Sequence, residues 1–317
     1  MNVASAPAAP SAAKTGLSGI VLRARSGFYT IQTDDHRLIE CHLRGRLKQE
    51  RQAAALVVIG DRVTIALQPD GEGMIESVAP RVSRFSRRQP GPRGTWHEDL
   101  LVANVDQVLV VLACADPMPH LRMLDRFLVV AEHNEVAAVV VANKVDLVGL
   151  DEARRLFAPY EEIGYPLHLV SAREGIGIEQ LADRLAGRVS VVTGPSGVGK
   201  STILNAIQPG LRIETGAVSG AVHKGRHTTT MAELHPLAAS GGYVADTPGL
   251  RELGLWRIPE SELAWCFPEM RPFLSGCGFN DCLHLGEPRC AVRTALAAAQ
   301  ISEARYDSYR RLLLNED

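Results

Sequence analysis

The sequence contains no long apolar run. Its longest, residues 108–115 and 137–142, fall far short of the roughly 18 to 20 residues that span a bilayer, so no membrane partner is expected. No charge sign dominates either: 34 Lys and Arg stand against 36 Asp and Glu, a formal net charge of −2. That balance excludes a highly charged disordered chain and a uniformly basic coat protein. The opening residues are mostly Ala, Pro and Ser with a lone Lys14 and no compact apolar stretch. A secretory leader is therefore not expected; residues 1–15 read as a flexible tail and the compartment as cytoplasmic. Cysteine is scarce, six residues in 317, with Cys41, Cys114 and Cys266 scattered. The other three, Cys277, Cys282 and Cys290, crowd into fourteen residues around His284, which reads as metal ligation rather than as disulfides.

What is present suffices for two or three cores, since 46% of the 317 residues are hydrophobic. Charge is unevenly placed: residues 1–98 hold fourteen Arg and Lys against nine Asp and Glu, or +5, which leaves −7 for the rest. A basic front end suggests a polyanionic partner. Within residues 16–82, five short β-prone runs separated by turns predict a small closed barrel of the oligonucleotide-binding type, with Phe28 and Tyr29 on its surface. A purely structural barrel with solvated arginines is the competing reading. Residues 83–99 hold four Arg, two Pro and two Gly without sustained period and read as a linker. From 100 to 255, apolar strand runs alternate with helical stretches, the signature of a parallel sheet covered on both faces. Residues 256–317 read as a Cys/His segment followed by one amphipathic helix over 291–314. The fold class is thus multidomain α/β.

The strongest chemical signal is Gly194-Pro195-Ser196-Gly197-Val198-Gly199-Lys200-Ser201, with Thr202 continuing into a helix. It fits the phosphate-binding pattern G-x-x-x-x-G-K-[ST] between a strand and a helix. Glycines let backbone N–H groups converge on phosphate oxygens, the helix N-terminus adds partial positive charge, Lys200 neutralises β/γ phosphates and Ser201 ligates Mg²⁺. Asn143-Lys144-Val145-Asp146, after another strand, supplies base selectivity. The Asp146 carboxylate is expected to accept from guanine N1–H and N2–H₂, with Asn143 bracing the loop, Lys144 laying its stem along the base, and Ser171-Ala172 bringing a backbone N–H to guanine O6. Asp246-Thr-Pro-Gly249 stands about 45 residues after the phosphate loop. Asp246 there serves Mg²⁺, and the Gly249 N–H meets the γ-phosphate. Between them, residues 225–230 form a candidate switch whose Thr229 completes Mg²⁺ coordination with triphosphate bound.

The order of these elements is unusual. In the common GTPase arrangement the phosphate loop comes first and the guanine-reading motif later, whereas here 143–146 and 171–172 precede 194–201, 225–230 and 246–249. The chain reads as a circular permutation, feasible because domain termini lie at the surface and often close together. Cys277, Cys282, His284 and Cys290 make a closed tetrahedral set suited to one structural Zn²⁺.

Together these motifs resemble the ribosome small-subunit-dependent GTPase A family of bacteria. The resemblance implies an N-terminal oligonucleotide-binding barrel, a central permuted GTPase and a C-terminal zinc domain. It also implies GTP-specific hydrolysis, stimulated by the small ribosomal subunit and its rRNA, late in subunit maturation. Leu250 stands where many GTPases carry the Gln that orients attacking water; the family shares this substitution, and His227 becomes the candidate to orient water. A monomer is the simplest expectation. Two competing functions are an RNA-binding assembly chaperone for which GTP is only a ligand, and an ATP-consuming P-loop enzyme, which Asp146 disfavours.

Overall fold

The computed structural model describes residues 16–25, 27–43, 57–90, 96–211, 233–246 and 258–316, with backbone alone at 87–90, 96–97 and 246. The first five strands are β1 (Leu17–Arg25), β2 (Phe28–Thr33), β3 (Leu38–Leu43), β4 (Arg62–Leu67) and β5 (Gly73–Val78). Strands β2 to β5 carry the period-two burial expected of one-sided strands, whereas β1 is buried on both faces at Ile20, Val21 and Leu22. They pair in the order β1-β2-β3-β5-β4, and β4 returns to β1, so the barrel closes. Its core is Val21, Tyr29, Ile31, Ile39, Cys41, Val63, Ile65 and Ile75. Burial pushes the Cys41 thiol up to about 12, with Glu40 and Glu72 adding to the effect, so this cysteine behaves as a small hydrophobe. Of the two aromatics expected outside, Phe28 is 53% exposed and meets His42 edge-on, but Tyr29 is 4% exposed. Adjacent strand residues face opposite sides, so both cannot be outside.

The stretch read as a linker carries secondary structure. Strands β6 (Arg84–Pro90) and β7 (Trp96–Ala103) form an antiparallel hairpin in which Arg87 stands opposite Asp99 and Arg88 opposite Glu98. Phe85 and Val102 face each other across this pair and are buried in a core shared with Ile20, Leu22 and Ile59 from the barrel side. The arginines hid the strand because their cross-strand partners lie ten or more residues away in sequence. Gly60 permits the close approach: its φ is +84°, and a Cβ there would lie 2.1 Å from the Ala103 carbonyl oxygen.

The central sheet is built from β8 (Gln107–Ala113), β9 (Ala137–Asn143), β10 (Leu167–Leu169), β11 (Val189–Thr193), β12 (Glu233–Leu237) and β13 (Gly242–Asp246) in the order β10-β9-β8-β11-β13-β12. All neighbours are parallel except β12 with β13. β8 is buried throughout because both its faces are covered. Val108, Val110 and Leu112 join the core holding Leu124 and Leu128 of α1 (Leu121–His133) and Phe157 of α2 (Leu150–Ile163). Leu109, Val111 and Ala113 join the opposite core, with Leu181 and Leu185 of α3 (Ile178–Leu185) and Ile203 of α4 (Lys200–Ile207). β12, absent from the sequence reading, also pairs with β1 at Arg23 and Glu233, so barrel and central sheet are one continuous ribbon.

The C-terminal residues form α5 (Glu260–Leu263), α6 (Arg271–Leu274), α7 (Ala291–Ala297) and α8 (Glu303–Leu314). The single helix expected over 291–314 is thus two. Ala299 takes a left-handed φ of 55°, and the break turns Ile301 into the core at 2% exposure. This helical unit packs on α1 of the central sheet: Val129 shares its core, and the buried Arg305 of α8 pairs with Asp125 of α1 and with Glu269 at 2.6 Å each.

Candidate nucleotide site and metal centre

The parallel strands deliver their following loops to one edge of the sheet, the carboxyl ends where ligands of open α/β sheets bind. The phosphate-loop residues follow β11, Asn143 ends β9, and Ser171 and Ala172 follow β10; Asp246 is the last residue of β13, beside β11. Asn143 therefore meets Ala172 and Val198, 29 and 55 residues further on, because strand order places β10, β9, β8, β11 and β13 side by side.

Asn143 is the hub. Its side chain, 3% exposed, donates through Nδ2 to the Val198 carbonyl at 2.8 Å and accepts through Oδ1 from the Ala172 N–H at 3.2 Å. One amide thus ties the phosphate loop to the 171–172 loop. Gly199, at φ +92°, leaves room for it, since a Cβ there would sit 2.3 Å from Asn143 Nδ2. Gly194, at φ +139°, is needed for a second approach: a Cβ would sit 2.1 Å from the Val111 carbonyl of β8. Lys200 Nζ lies back over the loop, donating to the Gly194 and Pro195 carbonyls at 2.7 and 2.5 Å. Ser196, Gly197 and Thr202 are exposed, Pro195 and Ser201 half-buried, and Val198 anchors the loop in the core.

Lys144 adopts a left-handed φ of 63° and its Nζ donates to the Asp116 carbonyl, so its stem crosses from the β9 loop to the β8 loop. Val145 is buried, which fixes the loop, while Asp146 is exposed. Burial raises the Cys114 thiol to about 11, and the Asp146 charge beside it contributes, which sets that carboxylate against the end of β8. Ser171 is buried; its N–H donates to the Ile176 carbonyl at 3.0 Å and its Oγ accepts from the Glu174 N–H at 3.1 Å. A backbone N–H of Ser171-Ala172 is expected at guanine O6; in this geometry the Ser171 N–H serves its own loop and the Ala172 N–H goes to Asn143 Oδ1. The contribution of Asp116 was not legible from sequence, because it acts through a main-chain carbonyl that any residue would supply. His227, Thr229, Gly249 and the side chain of Asp246 lie outside the described residues.

A second cluster lies in the C-terminal unit. The ligand atoms of Cys277, Cys282, His284 and Cys290 are all within 4.8 Å of one another. His284 Nδ1 is 3.5 Å from Cys277 Sγ and 3.4 Å from Cys290 Sγ. A tetrahedron with Zn–S near 2.3 Å and Zn–N near 2.0 Å has N···S edges of about 3.5 Å, so the donor set fits that ion in number, softness and spacing. Burial pushes the Cys282 thiol up to about 12, with Cys290 and Cys277 adding to it. Cation binding at neutral pH must therefore displace protons. The loop is braced independently: Tyr306 and Tyr309 of α8 donate to the His284 and Leu283 carbonyls at 2.6 and 2.8 Å. Glu287 accepts from the Leu283 and Gly286 N–H groups. Burial opposes its charge, yet these bonds hold its carboxyl down at about 2.

The model of the RsgA GTPase family matches residues 78–256, and that of the RsgA N-terminal domain matches residues 18–75. A small ribosomal subunit biogenesis GTPase RsgA of Gemmatimonas aurantiaca is 50% identical over 300 residues, covering 94% of this chain and 97% of the relative. One from Moorella thermoacetica is 43% identical over 297 residues, covering 94% and 96%. Among solved structures, YjeQ from Thermotoga maritima superposes with a TM-score of 0.78 at 35% identity, covering 94% of this chain and 98% of that one. YloQ, described as a circularly permuted GTPase, gives 0.74 at 29% identity, covering 97% of each.

Proposed function

This chain belongs to the RsgA GTPase family, and from that premise we propose that it hydrolyses GTP in the maturation of the small ribosomal subunit. The observation that supports the reading is the Asn143 bridge, which links the 194–201 loop to the 171–172 loop. The main-chain N–H groups of 195–202 receive the phosphates at the start of α4, and Lys200 swings from its two carbonyls onto the β/γ oxygens. The exposed Asp146 accepts from the guanine N1–H and N2–H₂, and Lys144, pinned at Asp116, covers the base. Asn143, Ser171 and Ala172 hold these loops in register.

Ser201 at the start of α4 and Asp246 at the end of β13 would hold the phosphate-bound cation, which is supported by β13 lying beside β11. Thr229 and the Gly249 N–H, outside the described residues, are assigned the triphosphate-dependent contacts. Mg²⁺ held there would supply positive charge against the negative charge that develops on the phosphate oxygens. We assign His227 to orienting the attacking water, since Leu250 cannot. The Cys277, Cys282, His284, Cys290 set holds one structural Zn²⁺ and takes no part in the chemistry. The protein acts as a cytoplasmic monomer; no described helix is long and apolar enough to cross a membrane.

GTP turnover with and without purified small subunits, against ATP as control, tests the reading. Subunit-stimulated GTP hydrolysis with ATP inert is expected. Equal use of ATP would overturn guanine selection, and GTP turnover unmoved by subunits would favour a GTP-liganded assembly chaperone. His227→Ala keeping full stimulated turnover would remove that residue's role and leave the rest.

A further inference from the structure

The opposite edge of the central sheet, at the amino ends of its parallel strands, carries a second polar cluster remote from the nucleotide pocket. Gln107, the first residue of β8, is fully buried. Its Nε2 donates to the Arg184 carbonyl and to Ser190 Oγ, both at 3.0 Å, so its Oε1 is turned to accept. Two guanidinium groups converge on that oxygen: Arg184 through Nε at 2.8 Å and Arg188 through Nη1 at 3.4 Å. Among the described residues neither arginine has a carboxylate within ion-pair distance.

The turn that holds the pair is rigid. Gly187 donates to the Ser240 carbonyl at 3.1 Å, Tyr243 donates to the Arg188 carbonyl at 2.8 Å, and a Cβ on Gly242 would sit 2.1 Å from the Leu185 carbonyl. The partial negative charge at the end of α3 accommodates one guanidinium, Arg184, in its last turn. It does not account for Arg188, three residues beyond the helix. Two like charges held on a neutral amide repel one another, and each has N–H donors to spare, because Arg offers five. Burial lowers the Arg184 pKa, and Arg188 lowers it further. His168 of β10 feels the same charge: burial and Arg184 hold it below the ordinary histidine range.

We propose that Arg184 and Arg188 form an oxyanion site that takes a backbone phosphodiester of RNA, giving the protein a second point of attachment on the sheet edge away from the nucleotide. A planar fork pair matches phosphate oxygens, and the anion relieves the repulsion that Gln107 alone does not. The RNA source rests on the small-subunit reading above; the oxyanion chemistry does not.

Binding of a fluorescein-labelled 20-nucleotide RNA to the full-length protein, followed by anisotropy over a salt series, tests the site. Arg184→Gln/Arg188→Gln should weaken binding about fivefold to tenfold and flatten the dependence of log K on log salt by about one phosphate contact. The control Arg154→Gln/Arg155→Gln removes the same charge from exposed residues of α2 and should keep the salt slope. Arg184→Lys/Arg188→Lys, retaining charge in case the glutamine variant misfolds, should keep the slope and lose only part of the affinity. Basal GTP turnover should be unchanged in all three. Glutamine and control variants indistinguishable in affinity and slope, or RNA left unbound by the unmodified protein, would overturn the proposal. So would His168 ring signals that move with inorganic phosphate and not with RNA, which would make the site one for a free anion. If RNA binding depends on the pair while small subunits leave GTP turnover unmoved, the site stands and the subunit reading fails.

Discussion

The nucleotide pocket and the Cys/His cluster are assembled in opposite ways. The candidate nucleotide site gathers loops spread over residues 116–202 and ties them by side-chain to main-chain bonds, from one buried amide and two lysines, on a scaffold of parallel strands. The cluster takes all four ligands from fourteen consecutive residues, and its helices are short, two of them only four residues long. A sheet that buries β8 and β9 from both sides needs no ligand to keep its loop ends adjacent. The C-terminal unit has its own core around Phe267, Met270 and Tyr309, shared with Val129 of α1, but the loop that carries the thiols has no strand or helix pairing to hold it, so its order is expected to depend on the ion.

The largest effect should come from removing the ion. Cys290→Ser, or prolonged treatment with a strong chelator, should unfold residues 258–316 while leaving guanine-nucleotide binding in place, because structural zinc contributes on the order of 10 kcal/mol to small domains. Metal content by plasma emission, far-ultraviolet circular dichroism and GTP affinity check this together. The pH dependence has a definite sign. The Cys282 thiol, held at about 12 without a cation, gives up its proton to the metal, so apparent zinc affinity falls as pH falls and acid releases the ion. If nucleotide affinity disappeared with the metal, the contrast between the two assemblies would be broken.

Arg305 offers the next largest test, because it joins the helical unit that carries the cluster to α1 of the central sheet. It is 2% exposed, pairs with Asp125 of α1 and Glu269 at 2.6 Å each, and lies over Phe267 at 4.7 Å. Burial opposes its charge, but Glu269 and Asp125 outweigh that and hold its pKa above the ordinary arginine value. Arg305→Met leaves two buried carboxylates without their cation and should cost about 3 to 5 kcal/mol in urea unfolding. Basal GTP turnover should survive at temperatures where the variant is folded. Loss of turnover there would show that α1 carries the state of the helical unit to the base-reading loop it precedes.

Most of this contrast was legible in the residues, for physical reasons that differ by element. Motifs whose side chains are assigned the chemistry, such as Lys200 and Asp146, and the clustered Cys277, Cys282, His284 and Cys290 are marked by residue type and spacing. The barrel and the parallel strands were legible too, because period-two patterning and doubly buried runs are local properties. Partners far apart in sequence were not legible. The β6–β7 hairpin reads as an arginine-rich linker until Asp99 and Glu98 are found opposite Arg87 and Arg88. Tyr29 could be assigned inside only once register was known, and the 298–302 break only once Ile301 was seen to need burial. Asp125 and Arg305, 180 residues apart, leave no local signal at all.

Within the pocket, the base reader should matter more than the brace. Asp146→Ala removes the carboxylate that two guanine donors address, and hydrogen bonds to a charged group contribute about 1.5 to 3 kcal/mol. GTP affinity should fall roughly 10- to 100-fold, with ATP binding unchanged, in a paired fluorescence titration. An unaltered preference would return the P-loop ATPase reading to contention.

Asn143→Ala sharpens the comparison at the smallest expected cost. It removes the 2.8 Å bond to Val198 and the 3.2 Å bond from Ala172, each a neutral contact contributing about 1 kcal/mol. The strands themselves stay in place, because β9 is paired on both sides with β8 and β10. Stability should therefore drop by only about 1 to 3 kcal/mol, the upper end reflecting a Val198 carbonyl left unsatisfied in a buried setting. GTP affinity should fall about fivefold to thirtyfold, since the phosphate loop and the 171–172 loop lose their common register. Asn143→Asp separates the two bonds: a carboxylate still accepts from Ala172 but cannot donate to Val198. If the aspartate variant binds GTP like the alanine variant, the phosphate-loop bond is the one that organises the pocket. If it binds like the unmodified protein, the bond from Ala172 is the one that organises the pocket, and only an alanine variant that also bound GTP normally would make the buried amide incidental.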